Sequence, residues 1–226
     1  MTFSVAGRCR RTGQFGVALA SSSPAVAARC AHVRPGVGAA CSQNVTDPRL
    51  GPHLLDLLAA GVPAGEAVRR TAEEGGELGR WRQLTAIGNG GRAGAHSGDR
   101  ALGTHAQALG PDAVAAGNLL AGPGVPQAML DAFEAWPHRP LAQRLMDALT
   151  AGVHAGGEAG PLHAAGLLVA GAVPWPVVDL RVDWSERDPV AELDVLWRIW
   201  EPQQEDYVRR ALDPAAAPAF GVPGDA

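Results

Sequence analysis

Thr2-Phe3-Ser4-Val5-Ala6-Gly7-Arg8, then Arg10-Arg11-Thr12-Gly13, then Gln14-Phe15-Gly16-Val17-Ala18-Leu19-Ala20: two short apolar runs around a turn-like tetrad read as a β-hairpin. Its first residue matters most. A threonine after Met1 is small enough for processing to strip the initiator methionine, leaving a hydroxyl and a free α-amine on one residue. That pair is a self-contained catalytic unit, the hydroxyl as nucleophile and the amine as general base. An α-amine has an ordinary pKa of about 7.7–8.0, so much of it is neutral near physiological pH. The competing reading is that Thr2 simply opens a strand, as β-branched residues often do.

Working outward, Val37–Gln43 is a third strand of small residues entered through the Pro35-Gly36 turn. Two helices follow, Pro48–Ala60 with Leu50, Leu54, Leu57 and Leu58 on one face, and Pro63–Glu74 ending at Gly75-Gly76. Arg82–Gly88 and Arg92–Ser97 form a hairpin around Asn89-Gly90-Gly91, and Val114–Leu120 is a further strand. Helices Val125–Trp136 and Pro140–Val153 come next, then strands Ala164–Ala170 and Val177–Asp183. The helix Asp188–Trp200 carries Asp188 as N-cap and Pro189 at its first position, and a short helix spans Gln203–Leu212. Helices arrive in pairs between groups of strands, which disfavours βαβ alternation. Two antiparallel sheets packed together, with helix pairs outside, fit this order. No repeat or linker interrupts residues 1–212, which read as one domain; 213–226, rich in Ala, Pro and Gly, read as a mobile tail.

Composition narrows the chemistry. The 226 residues carry a formal charge of −4 and no basic run long enough to track phosphates, so nucleic acid is not an expected partner. All 19 basic residues are arginine. Without lysine there is no Schiff base, no P-loop lysine and no Ser-Lys dyad. Cys9, Cys30 and Cys41 lack CxxC spacing and read as small buried residues. The seven histidines show no metal-ligand spacing, so neither a metal nor a cofactor is expected. Apolar runs fall short of a membrane span and no secretory pattern is present, which points to the cytoplasm.

Polar residues cluster at strand ends. Ser21-Ser22-Ser23-Pro24 closes the second strand without a G-x-S-x-G elbow, and Ser42-Gln43-Asn44 closes the third. If these strands are neighbours, Thr2, Ser21, Gln43 and Asn44 converge at one edge; otherwise these are ordinary polar loop entries. His96-Ser97-Gly98 closes another strand. Asn118, flanked by Ala116, Gly117, Leu119 and Leu120, is either an oxyanion donor or a structural hydrogen-bonder. Asp179, Arg181 and Asp183 alternate along one strand face, which is solvated or faces a substrate.

Thr2–Ala6, Thr12–Ser21 and Arg34–Ala39 resemble an uncharacterised prokaryotic family, domain of unknown function 1028, with an N-terminal-nucleophile-hydrolase-like fold. Further matches lie at Ala95–Gly98, at Gly117-Asn118-Leu119-Leu120-Ala121-Gly122-Pro123, at Val178–Asp183 and at Asp188–Leu193, in the same order to about residue 200. The resemblance implies an α+β fold, a four-layer αββα sandwich of two antiparallel sheets, with Thr2 at the nucleophile position. Ser21 then falls near where proteasome-type subunits keep a carboxylate. No acidic residue follows the second strand here, so positive charge near Thr2 is left to Arg8, Arg29 or Arg34. Family members also carry an acidic–arginine–glycine stretch followed by Ser-Ala, where this chain has Glu158-Ala159-Gly160-Pro161-Leu162-His163-Ala164-Ala165.

The expected activity is hydrolysis of a small amide, with Thr2 and Asn118 catalytic and Ser21, Gln43, Asn44 and His96 positioning the substrate. The alternative is an inactive relative that binds a small ligand or a partner. Trp175, Trp184, Trp197 and Trp200 in the last quarter of the chain predict a homo-oligomer, most simply a dimer.

Overall fold

A computed structural model describes residues 2–90 and 92–222. The opening hairpin forms as expected. Thr2–Cys9 (β1) pairs antiparallel with Gln14–Ser21 (β2), Phe3 opposite Ala20 and Cys9 opposite Gln14. Gly13 supplies the positive φ of 70° that the turn requires.

The chain then makes Val26–Cys30 (α1), Ala31–Arg34 (β3), Gly38–Asn44 (β4), Leu50–Ala59 (α2) and Ala64–Glu74 (α3). A 3₁₀ turn, Gly76–Trp81, leads into Arg82–Gly88 (β5), Gly94–Ser97 (β6), Ala106–Leu109 (β7) and Ala113–Asn118 (β8). Val125–Ala135 (α4), Leu141–His154 (α5), Ala164–Ala170 (β9), Pro176–Val182 (β10), Pro189–Trp200 (α6) and Gln204–Leu212 (α7) complete it. Six strands form one antiparallel sheet in the order β10-β9-β2-β1-β8-β7, and four form a second in the order β3-β4-β5-β6.

Side-chain alternation along these strands creates three separate apolar interfaces. Phe3, Val5 and Ala115 on one face of the larger sheet meet Met129, Phe133, Leu145 and Leu149 of α4 and α5. Leu84, Ala86 and Ala40 on the outer face of the smaller sheet meet Leu54, Ala67 and Val68 of α2 and α3. Between the sheets lie Ala6, Val17, Leu19, Ala39, Cys41 and Ile87. Three interfaces make four layers. This is an αββα sandwich of two antiparallel sheets.

Small residues set the inter-layer spacing. A Cβ on Gly38 would lie 2.4 Å from the Ile87 carbonyl oxygen, so β4 and β5 reach their pairing only with glycine there. The Asp188 carboxylate accepts from the amides of Val190 and Ala191 at 3.0 and 2.9 Å, the cap read from the sequence. Such a cap contributes about 1 kcal/mol.

Four elements are absent from the sequence reading. α1 has five residues, too short to signal itself by periodicity, and β3 follows it with no intervening turn residue. β7 is Ala-Gln-Ala-Leu, without a β-branched residue, and owes its conformation to pairing with β8. The 3₁₀ turn is six residues long and opens on Gly76, where the glycine pair ends the preceding helix pattern. The expected hairpin of β5 and β6 is present, but β6 begins at Gly94 and not at Arg92, and Gly91 of its turn lies outside the described residues. Of the expected tail, 223–226 also lie outside them, while Arg210 binds the carbonyl oxygens of Pro218 and Ala219 at 3.0 Å each. Arg181 and Asp179 form a bidentate pair with both side chains about two-fifths exposed, so that face of β10 is solvated.

Candidate functional site

Thr2, Ser4 and Ala6 share the face of β1 that looks toward the smaller sheet, as Asn118 does on β8, and Gln43 on β4 and Gln83 on β5 face them from the smaller sheet. The space between the sheets is apolar over most of its length and polar at the Thr2 end. There Ser4 Oγ donates to Gln43 Oε1 at 2.7 Å. Gln43 Nε2 donates to Gln83 Oε1 at 2.8 Å and to the Ala116 carbonyl at 3.2 Å. Gln83 Nε2 donates to Ser97 Oγ at 2.9 Å and to the Gly117 carbonyl at 3.0 Å. Asn118 Nδ2 donates to Gln83 Oε1 at 3.1 Å and to the Thr2 carbonyl at 3.2 Å. Ser4, Gln43, Gln83 and Asn118 have no solvent exposure. Buried amides persist only when paired, and this ladder pairs all of them but one atom. Asn118 Oδ1 is buried without a hydrogen-bond partner.

Thr2 sits at the edge of this ladder, 4 % exposed, with its hydroxyl donating to Ser21 Oγ at 3.3 Å. Ser21 Oγ also accepts from the Ser23 amide at 3.0 Å. The convergence of Thr2, Ser21 and Gln43 is therefore real, although β4 lies across from β1 and not beside it.

Asn44 and His96 are placed differently. Asn44, with φ of 75°, donates to the Trp81 carbonyl and accepts from the Leu102 amide, tying two loops together at the end of β4. His96 bonds through Nε2 to the Gly79 carbonyl at 3.3 Å, toward the helices, and its neighbour Ser97 faces the ladder instead. The arginines expected near Thr2 are engaged elsewhere. Arg8, six residues along β1, binds Asp112 and the carbonyls of Gly88 and Asn89. Arg29 binds the Pro24 carbonyl and Arg34 pairs with Asp56.

The carboxylate missing from the second strand comes from another loop. Glu158, between α5 and β9, is 5 % exposed, and its two oxygens lie 2.9 and 3.2 Å from the Ser22 amide. Burial pushes its pKa up, opposed by the positive amino terminus, by the Ser22 hydrogen bonds and by His163. His163 is fixed to the same strand end. Its amide donates to the Ser21 carbonyl at 2.9 Å, and its ring stacks on Trp184 with centroids 4.2 Å apart.

Backbone strain concentrates here as well. Among the described residues, the non-glycine residues with positive φ are Ala25, Asn44 and Leu119. They follow β2, end β4 and follow β8, the strand ends around Thr2. Such conformations cost on the order of 1–3 kcal/mol and cluster at functional sites. Burial raises the pKa of Cys30 and pushes Cys41 up to about 12, so neither is a rival nucleophile, while Cys9, whose pKa burial raises but hydrogen bonds to Thr12 bring below the ordinary value, lies at the opposite end of β1 from Thr2.

A family model described as a family of unknown function (DUF1028) matches residues 2–193. The chain belongs to that family. A DUF1028 protein of known structure, SPO2555 from Silicibacter pomeroyi, superposes with a TM-score of 0.83 at 27% identity, covering 92% of this chain and 94% of its own. Anbu, the ancestral β-subunit from Yersinia bercovieri, matches with a TM-score of 0.42 at 14% identity over 92% and 97%. Anbu from Hyphomicrobium sp. strain MC1 gives 0.38 at 13% over 92% and 98%. No curated protein matches the chain.

Within this DUF1028 chain, the sequence reading missed Ser4, Gln83, Ser97 and Glu158. Gln83 alternates with Thr85 and Ile87, so its inward face was legible once β5 was assigned. Glu158 was signalled only by the glycine pair before it, Gly156 and Gly157, with φ of 110° and 55°. Among the described residues no helix is long and apolar enough to cross a membrane.

Proposed function

We propose that this protein hydrolyses a small amide, with Thr2 as nucleophile once Met1 is removed. Thr2 Oγ attacks the carbonyl carbon, the α-amine of the same residue receives the hydroxyl proton, and the amide nitrogen departs with that proton. Water then hydrolyses the ester on Thr2. The observation that carries this reading is the buried Thr2 hydroxyl, held by Ser21 beside a fully buried amide ladder. Asn118 spends both amide hydrogens on Gln83 and on the Thr2 carbonyl, so its role is to hold Thr2, and oxyanion stabilisation falls to backbone N–H groups. Ser21 stands beside the Thr2 hydroxyl on the substrate's side of the site, Gln43 supports it from within the buried ladder, and Asn44 acts by fastening the surrounding loops. His96 faces the helix layer and is assigned no contact with substrate. The small size proposed for the substrate follows from the low exposure of Thr2.

Intact mass tests the first requirement, because a chain that keeps Met1 has no α-amine on Thr2. A screen of small amides and acyl amino acids against wild type and Thr2→Ala tests the second. Hydrolysis that survives in Thr2→Ala would sink the proposal. A second reading, a non-catalytic ligand-binding protein, has one observation in its favour: the two largest described cavities, 590 and 460 Å³, lie beside α6 and between α2 and α3, away from Thr2. A covalent adduct on Thr2 with an amide-directed electrophile would exclude it.

A further inference from the structure

The strands flanking β1 end level with Thr2, β2 at Ser21 and β8 at Asn118. Thr2 lies opposite Asn118 on β8 and, by the register of Phe3 with Ala20, beside Ser21 on β2. One row farther out, the gap between Ser22 and Leu119 is crossed by the loop that carries Glu158. Its backbone bridges to Leu120, the following amide of Ala159 donates to the Leu119 carbonyl at 2.9 Å, and the preceding Gly157 carbonyl accepts from Ala121 at 3.0 Å. From that anchorage beside β8 the Glu158 side chain reaches to the Ser22 amide beyond β2. The carboxylate thus spans the end of β1, on the side where the Thr2 nitrogen begins the strand.

We propose that Glu158 is a positioning residue that pairs with the α-amine of a chain beginning at Thr2. This rests on the hydrolase reading and deepens it. During attack the Oγ–C bond forms, the carbonyl π pair moves onto oxygen, and the Thr2 hydroxyl proton passes to the neutral amine. The ammonium so made is held by the Glu158 carboxylate until it returns the proton to the departing nitrogen as the C–N bond breaks. Glu158 itself exchanges no atom. Its charge makes the amine a stronger base and fixes the direction of its lone pair.

The absence of lysine makes the test clean. In a protein beginning at Thr2 the α-amine is the sole primary amine, so reductive methylation with ¹³C-formaldehyde labels that nitrogen alone and its NMR shift reports its titration. An opposite charge at this range moves a pKa by about 1–3 units. The amine of Glu158→Gln is expected to titrate at least about one unit below wild type, and Glu158→Ala likewise. An unchanged amine pKa in either folded variant overturns the pairing and leaves the hydrolase reading standing. Retention of Met1 by intact mass removes both. Should neither variant fold, wild type decides alone: an amine titrating at the ordinary 7.7–8.0 overturns the pairing, and one shifted upward supports it.

Discussion

Thr2 and Asn118 are cross-strand partners, and the Asn118 side-chain amide turns back to hold the Thr2 carbonyl oxygen at 3.2 Å. The residue proposed as nucleophile is therefore gripped from both sides, by Ser21 at its hydroxyl and by Asn118 at its backbone. Asn118→Ala is expected to lower turnover without abolishing acylation of Thr2 by an electrophile. It also leaves Gln83 Oε1 one donor short, at a cost of about 1–3 kcal/mol in urea unfolding. Loss of labelling with full stability retained would contradict this division of roles.

Gln83 is the hub of the ladder. Its carbonyl oxygen accepts from Gln43 and Asn118, and its nitrogen donates to Ser97 and Gly117. Gln83→Ala removes four hydrogen bonds at once and is expected to cost upwards of about 3 kcal/mol, more than Gln43→Ala. Because both variants break the shared Gln43–Gln83 bond, the double mutant should lose less than the sum of the two. Urea midpoints at constant m-value measure all three. Strict additivity would mean that the amides act independently.

How much of this was legible in the sequence differs between fold and site. The hairpin, the paired helices and the layer order followed from periodicity and turn residues, which act locally. The ladder depends on which strands face each other across the sheets, and that is a long-range property. Gln43 ends an inward-facing row and joins the ladder, whereas His96 turns away from it. The alternation along β6 sends Ser97 inward and His96 outward. Glu158 was invisible as a site residue because it reaches Ser22 across 136 positions, from a loop with no pattern of its own.

The C-terminal tryptophans divide in the same way. Trp197 is fully buried and donates to Gln143, and Trp200 donates to the Val177 carbonyl, so both serve the fold. Trp175 is half-buried, and Trp184 is exposed beside His163. The exposed apolar row on α6 is Val195, Leu196 and Ile199. The homodimer proposed from the tryptophan cluster is then expected to involve that row. Ile199→Asp should shift a light-scattering mass from dimer to monomer at micromolar concentration. A wild-type mass that stays monomeric on concentration ends the proposal.

Glu158 should also mark the pH dependence of stability. Its folded pKa lies above the ordinary 4.5, so the folded state binds this proton more tightly than the unfolded chain does. The associated stabilisation is complete below about pH 4.5, is lost as pH rises through the folded value, and stays lost above it. Glu158→Gln keeps an acceptor for the Ser22 amide and carries no titrating group. Relative to wild type, the glutamine variant should therefore gain stability between pH 4 and pH 7, read as a widening gap in urea midpoints. The direction is diagnostic. In a chain beginning at Thr2 the proposed pairing with the α-ammonium opposes this trend, so a wild type that gains on the variant there shows pairing outweighing burial, and one that loses shows burial dominant.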